Sequence, residues 1–292
     1  MRIRSYFASL VWGMTVNEWI EQYLSIVDTS DLSIHTKGQR HTYTRRFAYY
    51  FGERRLKTLK RLEIRAAYLK EREIAPHRGR AFLLCARLCL NEAVLEGLIT
   101  TNPACNIKMP KPPVVRRRLG VETFWRVYNA TPENHYFRLA LKLALATGQR
   151  RSDLVKMRYT DIVDGYLRVM QQKTGARIEI PLWLTNPILG ESLGDIIEQC
   201  KRHNSQGFEW LLQNERGGKV SVTSLTTWFY DCRGTSKKGD PSFHELRSLS
   251  ERTYREIGID TQTLLGHSSK IQTDEYNDER DPTAYRRVKA VA

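Results

Sequence analysis

Residues 102–120, NPACNIKMPKPPVVRRRLG, place the firmest limit on what this chain can fold into. Four prolines in so short a stretch fix φ and remove backbone donors, so no helix continues through it and it reads as an extended linker. The 292 residues are thereby divided into two parts, each long enough for a core of its own. Charge divides at the same place. Residues 1–118 hold 22 Lys and Arg against 10 Asp and Glu, a net of +12, whereas the remainder holds 25 against 22, a net of +3. A basic part joined to a nearly neutral one suits a polyanion clamp attached to a catalytic module, although solubility alone would also account for surplus cations.

The expected division is an N-terminal extension over 1–14, a helical domain over 15–105, a basic linker over 106–120 and a catalytic domain with a tail over 121–292. No apolar run approaches the ~18 residues of a membrane span, and the N-terminus lacks a signal-peptide cleavage site. An odd count of five cysteines without a CxxC pair argues against a disulfide framework or a structural zinc site. It points to a reducing cytoplasm.

In the first part, Val16, Trp19, Ile20, Tyr23, Leu24 and Val27 form a helical stripe, with Thr15 as N-cap and Glu18 completing a capping box. Further helices are expected over 36–51, over 62–73 with a stop at Pro76, and over 80–96, giving a small basic bundle. The second of these mixes arginines with aromatics, so Arg40, Arg45 and Arg46 are candidate DNA contacts, as are Arg116, Arg117 and Arg118 in the linker. In the second part, helical stripes at 121–130, 136–146, 152–157, 193–202, 222–232, 243–257 and 261–265 surround one strand pattern. Tyr166 to Met170 and Ile178 to Leu182 flank Gln172-Lys173-Thr174-Gly175, a hairpin signal. The expected fold is mainly α with a small antiparallel hairpin or sheet in an α+β catalytic domain.

Chemistry concentrates between Ser242 and Tyr276. His244 and Arg247 are three apart on a helical run and leave the same face. His267 follows a Leu-Leu-Gly turn, and Tyr276 stands in a polar setting. Upstream are Arg150, with Asp153 three residues on, and Lys173 at the hairpin tip. Two guanidiniums can grip a phosphodiester bidentately and hold the charge of its transition state. A phenol with an ordinary pKa of about 10 attacks phosphorus only with a proton acceptor and a positive setting. An imidazole supplies the first and the arginines the second, while a hairpin lysine can protonate the leaving alkoxide. No cofactor or metal is required. Taken singly, Arg150 could cap a helix end, Lys173 could be a solvated turn lysine, and Tyr276 could simply pack on a neighbour.

Their order carries more than any one of them. Arg, Lys, His-x-x-Arg, His, Tyr resembles the tyrosine recombinase (phage integrase) family. The runs ATGQRRSDL, TDIVDGYLRV, QKTG, FHELRSLS and LLGH are especially similar to lambda-type phage integrases. The resemblance covers residues 119–285 strongly and the helical part only in length, charge and the ITTNPA ending. It implies that Arg150 and Arg247 clamp the scissile phosphate, with Asp153 supporting the first arginine. It further implies that Lys173 protonates the leaving 5′ oxygen, His244 shares the tyrosine proton, His267 bonds the phosphate, and Tyr276 forms a 3′-phosphotyrosyl link.

The implied function is site-specific integration and excision of phage or prophage DNA in a bacterial cytoplasm, at the nucleoid. The implied partners are double-stranded core sites, three further protomers in a tetramer, and a DNA-bending host factor and excisionase, with no membrane. The two domains are expected to close around duplex DNA, and the tail after Tyr276 to pack on a neighbour or stand free. Only 14 residues precede the first helix, too few for a separate arm-site domain. The chain is therefore either a recombinase acting on core sites alone or a truncated one. The rival readings are a nicking-closing enzyme of the type IB topoisomerase kind and a non-catalytic DNA-binding regulator of the same fold.

Overall fold

The computed structural model describes residues 13–110 and 117–277, apart from 205, 206, 208, 235, 236 and 238. Arg116, most of the 1–14 extension and the tail beyond 277 lie outside the described residues. The chain divides into two compact units between Pro113 and Val114, inside the proline-rich segment.

The first unit contains α1 (Val16–Thr29), α2 (Ile34–Phe51), α3 (Arg61–Ile74) and α4 (Pro76–Leu95). Thr15 and Glu18 form the anticipated capping box, satisfying two N–H groups that the first turn leaves unpaired. Trp19 is buried with Phe47, Phe82 and Leu83, and its Nε1 donates to Cys89 O at 3.0 Å, tying α1 to α4. Pro76 does more than end α3. It occupies the first position of α4, where a missing N–H removes no helical bond, so that helix starts four residues before the sequence expectation.

The second unit is mainly helical around a small sheet: α5 (Val121–Ala130), α6 (Tyr136–Thr147), α7 (Arg151–Leu154), β1 (Ile162–Val163), β2 (Tyr166–Met170), β3 (Arg177–Pro181), β4 (Thr185–Asn186), β5 (Glu191–Ser192), α8 (Leu193–His203), α9 (Val222–Arg233), α10 (Glu245–Glu256), α11 (Thr261–Leu265) and α12 (Lys270–Asn277). Strands β1, β2 and β3 pair antiparallel in that order. Leu167 faces Ile180 and Val169 faces Ile178 on the buried side, while Arg168 and Glu179 pair at 2.8 Å on the open side. That is the period-two alternation of a half-buried sheet. Strands β1, β4 and β5 and helix α12 go beyond the sequence expectation, because segments of two residues and a polar helix give no periodic apolar signal. Helix α6 is buried almost throughout, and α10 packs across it, with Tyr254 Oη donating to Ala146 O at 2.9 Å.

Candidate active site

Two glycine turns gather the sequence-distant residues. Gly148 ends α6 in the left-handed region (φ 63°), and a Cβ there would stand 3.0 Å from both Leu265 Cδ2 and Ser250 Oγ. Only glycine allows both the turn and the close approach. Its carbonyl accepts from Arg247 Nη1 at 2.7 Å, and Arg150 leaves the turn at the N-cap of α7. Gly266 ends α11 likewise (φ 60°), with a notional Cβ 2.9 Å from Gln171 Nε2 and Ile178 Cδ1. The Leu-Leu-Gly-His turn is thus pressed onto the β2–β3 hairpin.

Arg247 is 1% exposed. Its Nη2 donates to Leu265 O at 2.5 Å and to His267 Nε2 at 3.0 Å, while Nε is buried without a partner. Burial, then the neighbouring Arg150, lower its pKa to about 10, which still leaves it cationic at neutral pH. Among the described residues no carboxylate bonds to this guanidinium. A guanidinium can only donate, so His267 Nε2 must accept, and Nδ1 carries the ring proton toward Thr273 Oγ1 at 3.0 Å. Burial, then Arg247 and Arg150, lower the His267 pKa to about 4, in keeping with a neutral ring.

Tyr276 comes to this cluster on α12. Its Oη lies 3.3 Å from His244 Nε2, and its ring centroid stands 5.3 Å from that of His267 and 5.7 Å from Arg247 Cζ. The helix is fastened by Ser248 Oγ donating to Tyr276 O at 2.8 Å and by Arg255 pairing with Asp274 at 3.0 Å. His244 is exposed at the N-cap of α10, and the first turn of that helix buries Arg247, so one helix start serves both side chains.

Arg150, His244, Arg247, His267 and Tyr276 therefore meet. Lys173 stands exposed in the hairpin loop, and no contact joins it to the cluster among the described residues. Asp153 departs from the expectation. Its buried Oδ1 accepts from Gln172 N at 3.0 Å rather than from the Arg150 side chain, and Oδ2 has no partner. Its short helix directs it to the foot of the hairpin. Arg118 departs further. The linker reading put it along a DNA backbone, but its side chain is 6% exposed, paired with Glu245 at 3.1 Å. It also donates to Glu275 O and lies 5.8 Å from the Tyr276 ring centre. Arg117 is exposed, with its N–H bonded to Gly239 O at 2.7 Å. In the other unit, Arg40 bonds Tyr23 Oη at 2.8 Å, Arg46 bonds Glu71 at 2.8 Å, and Arg45 is exposed.

Sequence reasoning missed Gln149, Gln171, Ser248 and Thr273, all buried in the walls of this cluster. Only adjacency to the motifs could have marked the two glutamines, since lone polar residues leave no pattern. Among the described residues no group of three His, Cys, Asp or Glu is arranged to hold a metal, and no helix is long and apolar enough to cross a membrane.

The sequence profile of the phage integrase family matches residues 120–282, more than half of the chain. The chain belongs to the phage integrase family. As an integrase-family member, it is 33% identical over 289 residues to prophage integrase IntE of Escherichia coli (strain K12), covering 92% of this chain and 76% of that one. Its fold is similar to residues 75–356 of lambda integrase, solved as a dimer bound to a COC′ core site. The TM-score is 0.88 at 31% identity, covering 94% of this chain and 99% of that one. A lambda integrase tetramer bound to a Holliday junction matches with a TM-score of 0.86 at 30% identity, covering 94% of this integrase and 80% of that chain. The chain is a tyrosine recombinase, an enzyme of site-specific DNA recombination.

Proposed function

We propose that the chain cleaves and rejoins the two attachment sites of a phage or prophage through a 3′-phosphotyrosyl intermediate. The observation that carries this reading is the Tyr276 phenol, 3.3 Å from an imidazole nitrogen and beside a buried Arg247 whose hydrogen bonds go to two carbonyls and an imidazole. Arg150 and Arg247 hold two oxygens of the scissile phosphate and stabilise its added charge. Tyr276 Oη attacks phosphorus and passes its proton to His244 Nε2. The P–O5′ bond breaks, and Lys173 protonates the leaving oxygen. His267 donates to a phosphate oxygen through Nε2 once Arg247 turns its donor to the same phosphate and the ring proton moves from Nδ1 to Nε2, with Thr273 Oγ1 then donating to Nδ1. In the return step, the 5′ hydroxyl of a partner strand attacks the phosphotyrosine and gives its proton to Lys173, while His244 returns a proton to Tyr276.

The helical unit, with Arg45 exposed, is the proposed core-site binding domain, and the second unit, with Arg117 exposed, the catalytic domain. Four protomers act on two core sites in the bacterial cytoplasm, assisted by a DNA-bending host factor and an excisionase. The test is incubation with nicked duplex bearing the chain's own core site, followed by a denaturing gel. A covalent protein–DNA band that disappears in Tyr276→Phe, with DNA binding retained, is expected. A band that persists overturns the nucleophile, and efficient relaxation of plasmids lacking the site would favour the nicking-closing reading.

A further inference from the structure

Gln171 stands at the foot of the β2–β3 loop, 1% exposed. Its Nε2 donates to Gln149 Oε1 at 2.8 Å and to Leu265 O at 2.9 Å. Its Oε1 accepts from Arg150 Nη1 at 2.5 Å and from Thr174 Oγ1 at 2.8 Å. A side-chain amide offers two donors and one oxygen with two lone pairs, so every hydrogen-bonding position is used. A buried amide satisfied in this way fixes whatever it touches, because each displaced partner would be left unpaired in a low dielectric. Those partners are the Arg150 guanidinium, its neighbour Gln149, the end of α11 that also receives Arg247, and Thr174, the residue after Lys173. On the other side of Lys173, Gln172 gives its N–H to Asp153. Below, Gln171 N donates to Ala176 O at 2.9 Å and Gly175 N to Gln171 O at 2.8 Å, closing the loop. Lys173 is therefore an exposed side chain whose two neighbours are anchored to the Arg150 segment.

We infer that Gln171 is a positioning residue that holds the Arg150 phosphate clamp and the Lys173-bearing loop in one frame. The inference rests on the proposed reading of Arg150 as a clamp and Lys173 as the leaving-group acid. In that step the Tyr276 Oη–P bond forms, the P–O5′ bond breaks and the Lys173 proton passes to O5′. Where a flexible lysine reaches depends on where its loop stands relative to a phosphate gripped by Arg150. A misplacement of about 1 Å in such a pair can slow the step about 10²-fold.

The test compares single-turnover cleavage of core-site DNA with an ordinary 5′ oxygen and with a bridging 5′ sulfur at the scissile phosphate. A thiol, with an ordinary pKa of about 8.5, leaves without needing a proton. Lys173→Ala should lose about 10²-fold or more on the oxygen substrate and recover most of it on the sulfur substrate. Gln171→Met, which keeps the length but removes all four bonds, should lose about 10²-fold and recover at least about tenfold with sulfur. Thr174→Val, at an exposed position, should show a smaller loss with the same recovery, and it decides the matter alone should Gln171→Met fail to fold. Equal losses on both substrates for Gln171→Met and Thr174→Val, beside a rescued Lys173→Ala, would overturn the positioning role. A Lys173→Ala that sulfur does not rescue would instead overturn the acid assignment and the inference with it.

Discussion

Glu71 in the helical unit and Arg247 in the second are both fully buried charged side chains, and the two are treated in opposite ways. Glu71 in the helical unit has a fully buried side chain that receives Arg46 at 2.8 Å, Tyr50 Oη at 2.7 Å and Arg78. Burial alone would raise its pKa, but the hydrogen bonds from Arg78, Arg46 and Tyr50 outweigh it and hold the carboxyl at about 2. Arg247 in the second unit is equally buried, yet it is met by two carbonyls and a neutral imidazole, and its pKa falls to about 10. A charge hydrogen-bonded by opposite charge is a fastening, whereas one hydrogen-bonded only by dipoles is set to receive an anion. The same contrast sorts the candidate DNA contacts. Arg46 is committed to Glu71 and Arg118 to Glu245, which leaves Arg45 and Arg117 as the exposed candidates among the described residues.

The sharpest way to break this comparison is Arg247→Met. Cleavage should fall about 10³-fold with the loss of a phosphate clamp. Folding should change by no more than about 1 kcal/mol, because an uncompensated buried cation is removed along with its hydrogen bonds. Thermal melting beside a cleavage assay checks both, and a large drop in Tm would make Arg247 a fastening like Glu71. Glu71→Gln should behave in the reverse sense. It should lose about 2 kcal/mol of stability, less than a wholly buried pair would lose because the side chains of Arg46 and Arg78 are each 35% exposed. Cleavage per folded molecule should persist. A catalytic defect at undiminished stability would contradict that.

The smallest effect is in pH. His267 has a folded pKa of about 4 against an ordinary 6.5, so below 6.5 the unfolded chain takes a proton that the folded chain refuses. Its contribution to stability is complete above pH 6.5 and is lost as pH falls from there toward about 4. The Glu71 carboxyl, depressed from 4.5 to about 2, keeps its contribution above pH 4.5 and loses it lower, toward about 2. Melting curves from pH 7 to 3 should therefore show a shallow first decline that His267→Gln removes and a later one that Glu71→Gln removes. Both declines surviving in both variants would mean that other groups carry them.

Residue types and spacing in the sequence determined a great deal: the break in the proline-rich segment, the capped helix at Thr15, the hairpin around Lys173, and the ordered set from Arg150 to Tyr276. These are readable because backbone restriction, hydrophobic period and side-chain chemistry are local. Tertiary structure alone decided which charges are answered. It turned Arg118 from a linker cation into a wall of the Tyr276 pocket, aimed Asp153 at the hairpin instead of at Arg150, and made Gln171 the junction of three motifs. It also gave the polar segment around Tyr276 its helix, through fastenings from Ser248 and Arg255. Apart from Thr174 and Gln171, such partners lie from about twenty to more than a hundred residues apart, and no periodicity records a hydrogen bond closed across that distance.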